Sequence, residues 1–571
     1  MKRIWLATTL VICGLVQSLI GSQSARAEEG ATGAKLLPKD TLLFFSVPNV
    51  PDSREEFDKS PLLHDPEFEP FLSDVKAKFE EVSEKLRDEI GLSISDLLSI
   101  PQGEITFALM ERPKRKLAPV LLLDYGDSKE SVDKLLKKLH DALEGDLAEY
   151  SKEDVDDVVV HVFTFKEEGT PVKQLVYVND DSYLVFSTEK EALTEVLSRW
   201  DGESDDTLAG NEIFQYVMEK CQDESGEPSV VWFVSPIGLI QSGIGAAQAA
   251  IPQASMQVGM AAAFLPMLGL DKLKGWGGAG YSNAGDFETI SKSFVYTDQP
   301  KGLLNVFQFP ATELAPPKWV SAKTSMYYGG NWNLAGAYQA IETMIDGFYG
   351  RGFTAKQLDK FANDESGPGL HPKKDVLDLL DGKFHLVQGI EENEDEQLTQ
   401  RFLLALDTKD AAKLKKTLAK AAKAEGASEI ESREFNGETI YEINVGPDQT
   451  ISLAVADGHF VVTNDTATLE GMLRSESQPA LVESAAYRRI AKHFPAKLSM
   501  LSYARADAQI KPLYEMLKSN ENLDFLEGID LQKLPPFEVL KKYLHTSGSY
   551  TVPDSKGALS VGFQLREADP E

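Results

Sequence analysis

The side chains best able to do chemistry in this chain are its eight histidines, at 64, 140, 161, 371, 385, 459, 493 and 545. No two stand a helical turn apart and no His-Glu-x-x-His occurs, so local spacing predicts no zinc site. His161, His385 and His459 fall in segments that read as strands, where each is expected to be a hydrogen-bonded structural residue. The only cysteines are Cys13 and Cys221, too few for a disulfide scaffold or a thiolate zinc site. No Gly-x-Ser-x-Gly is present, so the nucleophile elbow of the α/β-hydrolases is missing. Gly275-Trp-Gly-Gly-Ala-Gly280 lacks the Gly-Lys-Ser/Thr ending of a phosphate loop and is expected to be a strand approached closely by another backbone. Glu153–Asp157 and Glu391–Glu396 lack the oxygen spacing and glycine of a calcium loop and read as solvated charged loops. Paired carboxylates for glycoside cleavage are set by position in space, and ninety acidic residues offer no way to locate such a pair. The expectation is therefore no catalytic, cofactor-binding or metal-ligating residues and no cofactor.

One segment has unusual physics. From Pro228 to Leu270 there is no charged residue, in a chain that is 26% charged. Pro252, Pro266 and four glutamines argue against a membrane span there. A buried or half-buried helical hairpin is one reading. The other is an adaptable apolar surface for a lipid, a peptide or another subunit, with Met256, Met260, Phe264 and Met267 as its partner-binding residues.

The elements around these residues repeat. Gly103–Leu109 matches Gly382–Gln388 as a strand. A polar loop and a second apolar strand follow each, Val120–Asp124 and Phe402–Asp407. Both second strands lead to acidic helix starts, Asp127-Ser-Lys-Glu130 and Asp407-Thr-Lys-Asp410, and then to Lys- and Leu-rich helices. Later come paired strands around Asn179-Asp180-Asp181 and around Asp457-Gly458, the second turn being the stronger hairpin signal. Short helices, a further strand and a closing hairpin end each copy. Upstream, Thr41–Val47 aligns with Thr324–Gly329. The predicted organisation is a first repeat over 36–309, a proline-rich linker over 310–317 and a second repeat over 318–568. The expected fold class is α+β: two tandem, diverged copies of a mostly antiparallel sheet with flanking helices. In the first copy, Phe68, Phe71, Leu72, Val75, Phe79, Val82, Leu86 and Ile90 step by three or four and predict one long amphipathic helix ended by Gly91.

The chain has 571 residues, with 42% hydrophobic residues and a formal charge of −32. That is ordinary globular composition, and the acidity opposes binding to nucleic acid or anionic lipid. Met1-Lys-Arg3, the uncharged Ile4–Ile20 and Ala25-Arg-Ala27 have the three parts of a secretory signal peptide, so residues 1–27 are expected to be removed and the mature chain to have no transmembrane span. Cleavage there would remove Cys13 and leave Cys221 as the single cysteine.

Leu37–Pro51, with Phe57, Ser60-Pro-Leu62 and Asp65-Pro-Glu-Phe68, resembles the opening of exported proteins of planctomycete-type bacteria classed only as a domain of unknown function. The resemblance implies an envelope or extracellular location and carries no catalytic residues. Three function classes follow. The favoured one is an exported, non-enzymatic envelope protein that binds an envelope protein partner or acts structurally. The others are a carrier of an apolar ligand or lipid and a hydrolase of an extracellular polymer.

Overall fold

The computed structural model describes residues 32–566 except 114–115, 168–171, 251–264, 267, 365–366, 368, 393–397, 425–429, 447–448, 475–478 and 520–528. The expected leader over 1–27 lies outside the described residues. So do all four proposed partner-binding residues, Met256, Met260, Phe264 and Met267. The chain forms two compact units. One comprises the described residues within 32–250, 274–296 and 518–543, and the other those within 265–273, 297–517 and 544–566.

The first unit carries β1 (Leu43–Val47), β2 (Ile105–Arg112), β3 (Lys116–Asp124), β4 (Ala148–Val155), β5 (Val158–Phe165), β6 (Gln174–Asp180), β7 (Tyr183–Ser187), β8 (Val230–Val234), β9 (Leu273–Ser282) and β10 (Phe287–Thr297). Their pairing order is β4-β5-β6-β7-β3-β2-β1-β8-β9-β10. Antiparallel neighbours and two-residue side-chain alternation give the sheet one helix-covered face. On that face Val132, Leu136 and Leu143 of the helix Lys129–Leu143 pack with Phe163, Tyr177 and Leu184. Each such side chain contributes roughly 1.5–3 kcal/mol by leaving water.

Local signals account for many of the boundaries. The helix Glu69–Ile90 stops at Gly91, which adopts φ +77° and donates its N–H to Arg87 O. The apolar face of this helix is less covered than its periodicity predicts, since Phe79 and Val82 remain 40% and 39% exposed. The acidic run at 153–157 is not a loop: β4 continues to Val155, and Asp156 and Asp157 make a two-residue turn at φ +48° and +63°. Acidic side chains tolerate that left-handed backbone better than most others. Asp181 at φ +51° likewise closes β6 on β7 without a glycine. The glycine-rich stretch at 275–280 is strand β9, as expected: a Cβ at Gly278 would fall 2.6 Å from Lys292 O. Of the charge-free segment, Pro236–Ala250 is an α-helix.

The second unit carries β11 (Met326–Asn331), β12 (Leu380–Glu392), β13 (Leu398–Thr408), β14 (Ile430–Phe435), β15 (Glu438–Gly446), β16 (Gln449–Ala456), β17 (His459–Thr463), β18 (Met500–Arg505), β19 (Thr546–Asp554) and β20 (Gly557–Leu565). They pair in the order β14-β15-β16-β17-β13-β12-β11-β18-β19-β20, again antiparallel throughout. The class is α+β with antiparallel sheet. Within this unit Thr312, in the proline-rich stretch, exchanges backbone hydrogen bonds with Leu498. The helix Ala411–Ala421 is capped by Asp410, whose side chain accepts from Lys413 N at 2.9 Å. Asp407, three residues earlier, is still in the sheet. Among the described residues no helix is long and apolar enough to cross a membrane.

Candidate functional site

Side chains on one face of an antiparallel sheet meet when they are directly opposite, or diagonal by two residues, on neighbouring strands. In the second unit Asp407 of β13 stands opposite His459 of β17. On the other flank His385 of β12 stands opposite Ala405, two residues from Asp407 and so on the same face. Three neighbouring strands thereby bring two imidazoles to one carboxylate.

Asp407 Oδ1 is 3.4 Å from His385 Nε2 and 3.2 Å from His459 Nε2. The ligand-capable atoms of all three lie within 4.8 Å of one another, and this is the one group of three His, Cys, Asp or Glu so arranged among the described residues. Neither ring is aimed at the oxygen well enough for a good hydrogen bond, so Asp407 Oδ1 is a buried acceptor without an aligned donor. Tyr327 of β11, fully buried, fixes the His385 ring through a 2.8 Å contact between its hydroxyl and Nδ1. Trp319 stands edge-on to both imidazoles, with ring centres at 6.2 and 5.7 Å.

The electrostatics follow from this burial. Desolvation pushes His385 below the ordinary histidine range, against the pull of Asp407. For His459 desolvation acts the same way, but Asp407 and the charge of Asp457 outweigh it and leave the group raised. Burial alone would raise Asp407, yet the two imidazoles hold its carboxyl well below the usual carboxylate range. Two imidazole nitrogens and one carboxylate oxygen form a donor set suited either to a shared proton or to a divalent metal.

The first unit differs at the matching register positions. Asp124 ends β3, but Tyr183 stands opposite it, and Thr106 of β2 holds the pairing position that His385 has in β12. Thr106 instead donates to buried Glu104 at 2.6 Å, which also accepts from Ser46 Oγ at 2.5 Å and Gly33 N at 3.0 Å. His161 and His140 of this unit engage tyrosines. Tyr150 Oη lies 2.8 Å from His161 Nδ1, and His140 Nε2 lies 2.7 Å from Tyr177 Oη. The reading of His161 as a hydrogen-bonded structural residue fits that arrangement. The reading of His385 and His459 as separate strand histidines misses their convergence. The pairing of β17 with β13 across a 50-residue excursion is invisible in local spacing, and Asp407 resembled a helix-start residue. A cavity of about 160 Å³ elsewhere in the second unit, lined by Arg489 and His545 among apolar neighbours, shares no residue with the cluster.

Residues 370–531 match the family described as "Protein of unknown function (DUF3352)". That span includes His385, Asp407 and His459. No curated protein and no solved structure matches the chain.

Proposed function

We propose that this is an exported, non-enzymatic protein of the cell envelope or extracellular space, with a binding or structural role and two tandem, diverged copies of one ten-stranded unit. The observation that carries the non-catalytic part is the burial of His385 at the centre of the cluster. His385 is 5% exposed, hydrogen-bonded to Tyr327 and packed against Trp319, so its functional groups face protein and not a substrate-sized space. Duplication is supported by the shared strand order of the two units, which the gapped resemblance of 103–124 to 382–407 parallels. Export is supported by the basic start, apolar core and Ala-x-Ala end of residues 1–27.

Cell fractionation and intact-mass measurement of native material test the reading. The expected product begins at Glu28 and is recovered outside the cytoplasm. A cytoplasmic chain that keeps residues 1–27 overturns export. A turnover activity abolished by Asp407→Asn in a folded variant overturns the non-enzymatic assignment.

A further inference from the structure

A four-coordinate metal with bonds of about 2.0–2.1 Å holds its ligand atoms roughly 3.3 Å apart. The two separations from Asp407 Oδ1, 3.4 and 3.2 Å, are of that size before any ion pulls the groups together. They are also long and poorly directed for the hydrogen bonds that an imidazole N–H would make to a buried carboxylate. A buried, charged oxygen without an aligned donor is costly, and a cation among the three groups removes that cost.

One of the two imidazoles has a supporting partner, while His459 Nδ1 is buried without one. Metal-bound histidines usually engage their second ring nitrogen with an oxygen that fixes tautomer and orientation. Tyr327 does this for His385 Nδ1, leaving Nε2 on the Asp407 side, 3.4 Å from Oδ1. All three groups come from adjacent strands in the middle of the sheet, so an ion there would tie β12, β13 and β17 together. His385 is nearly sealed, whereas the side chains of His459 and Asp407 keep 12% and 30% exposure, so an ion would enter from their side. The first unit, with Thr106 and Tyr183 at the register positions of the two imidazoles, lacks the donor set.

We infer that His385, Asp407 and His459 form a binding site for one divalent first-row transition metal of the zinc type, present in the second unit alone. Imidazole nitrogen with a single carboxylate favours such an ion over calcium or magnesium, which take oxygen ligands. The role that follows is mechanical: the ion pins three strands.

The test uses the full mature chain, freed of metal by a chelator and titrated with Co²⁺ and then Zn²⁺. The expected result is one Co²⁺ per chain, with visible ligand-field bands that Zn²⁺ abolishes by displacement. Asp407→Asn and His459→Gln, both at partly exposed positions, should each weaken binding by more than the roughly tenfold that losing an outer-shell partner costs. His161→Gln in the first unit should bind as the unaltered chain does. X-ray absorption at the zinc edge of the unaltered protein needs no variant and should show two imidazole nitrogens with oxygen. Absence of 1:1 binding overturns the inference. So does an oxygen-only shell, which identifies ions held by the acidic surface, or unchanged affinity in both ligand variants.

Discussion

Tyr327→Phe isolates one atom at the centre of the second unit. Tyr327 is fully buried, and its hydroxyl contacts His385 Nδ1 at 2.8 Å, so phenylalanine keeps the ring packing and deletes only the polar partner. The loss is not merely the ~1 kcal/mol net value of an ordinary hydrogen bond, because His385 Nδ1 stays buried and cannot recruit solvent at 5% exposure. An orphaned buried group costs about 1–3 kcal/mol, and that is the expected destabilisation. For a unit of this size it corresponds to a fall of about 2–4 °C in melting temperature per kcal/mol. The assay is urea unfolding of the full metal-free chain. The relevant transition is the one that Leu403→Ala, at a fully buried β13 position, also moves. Tyr328→Phe, the next residue and on the opposite face of β11, serves as control and should stay within about 0.5 kcal/mol. A Tyr327→Phe shift no larger than the control's would refute the claim that this contact orients and satisfies His385.

Other outcomes follow from single features. Burial holds His161 down to about 4 from an ordinary 6.5, with Lys152 and His140 adding repulsion. Its contribution to stability is therefore complete above pH 6.5 and is lost as pH falls towards 4, and His161→Gln should flatten that part of the pH–stability profile; an unchanged profile contradicts the assignment. Glu56, pushed up to about 7 by burial, acts in the opposite sense: its contribution is present below about pH 4.5 and is lost as pH rises through 7, so Glu56→Gln should improve relative stability near neutrality. Gly382 has φ +101° and a Cβ there would sit 2.3 Å from Trp332 O, whereas Gly437 at φ +84° has open space around it. Gly437→Ala should cost about 1–2 kcal/mol and Gly382→Ala clearly more, and equal melting temperatures would count against the steric argument. Cys221 is buried and its thiol is raised to about 12, so a thiol reagent should label it only at the rate of opening of the first unit; immediate labelling of the native protein would contradict its burial.

Much of the local structure is legible in the sequence because its causes are local. Period-two apolar runs mark β2, β3, β13 and β16, the three-four spacing from Phe68 to Ile90 marks the long helix, and Gly91 and Asp457-Gly458 mark places where the chain must end or reverse. Acidic stretches are harder to read, because Asp156-Asp157 turns a hairpin and Asp410, not Asp407, caps its helix. A carboxylate that caps, turns or simply meets water has the same local signature. The α+β class and its antiparallel character follow from this level of information.

The site belongs to the other level. His385 and His459 are 74 positions apart, and each looks alone in its own strand. They converge because β17 returns past β14, β15 and β16 to pair with β13, and because the two-residue pleat then puts all three side chains on one face. Pairing partners and register are chosen by the burial of the whole sheet, a cooperative outcome that no window of the sequence contains. The residue types were therefore fixed by the sequence, while their meeting around Asp407 was decided by the tertiary structure.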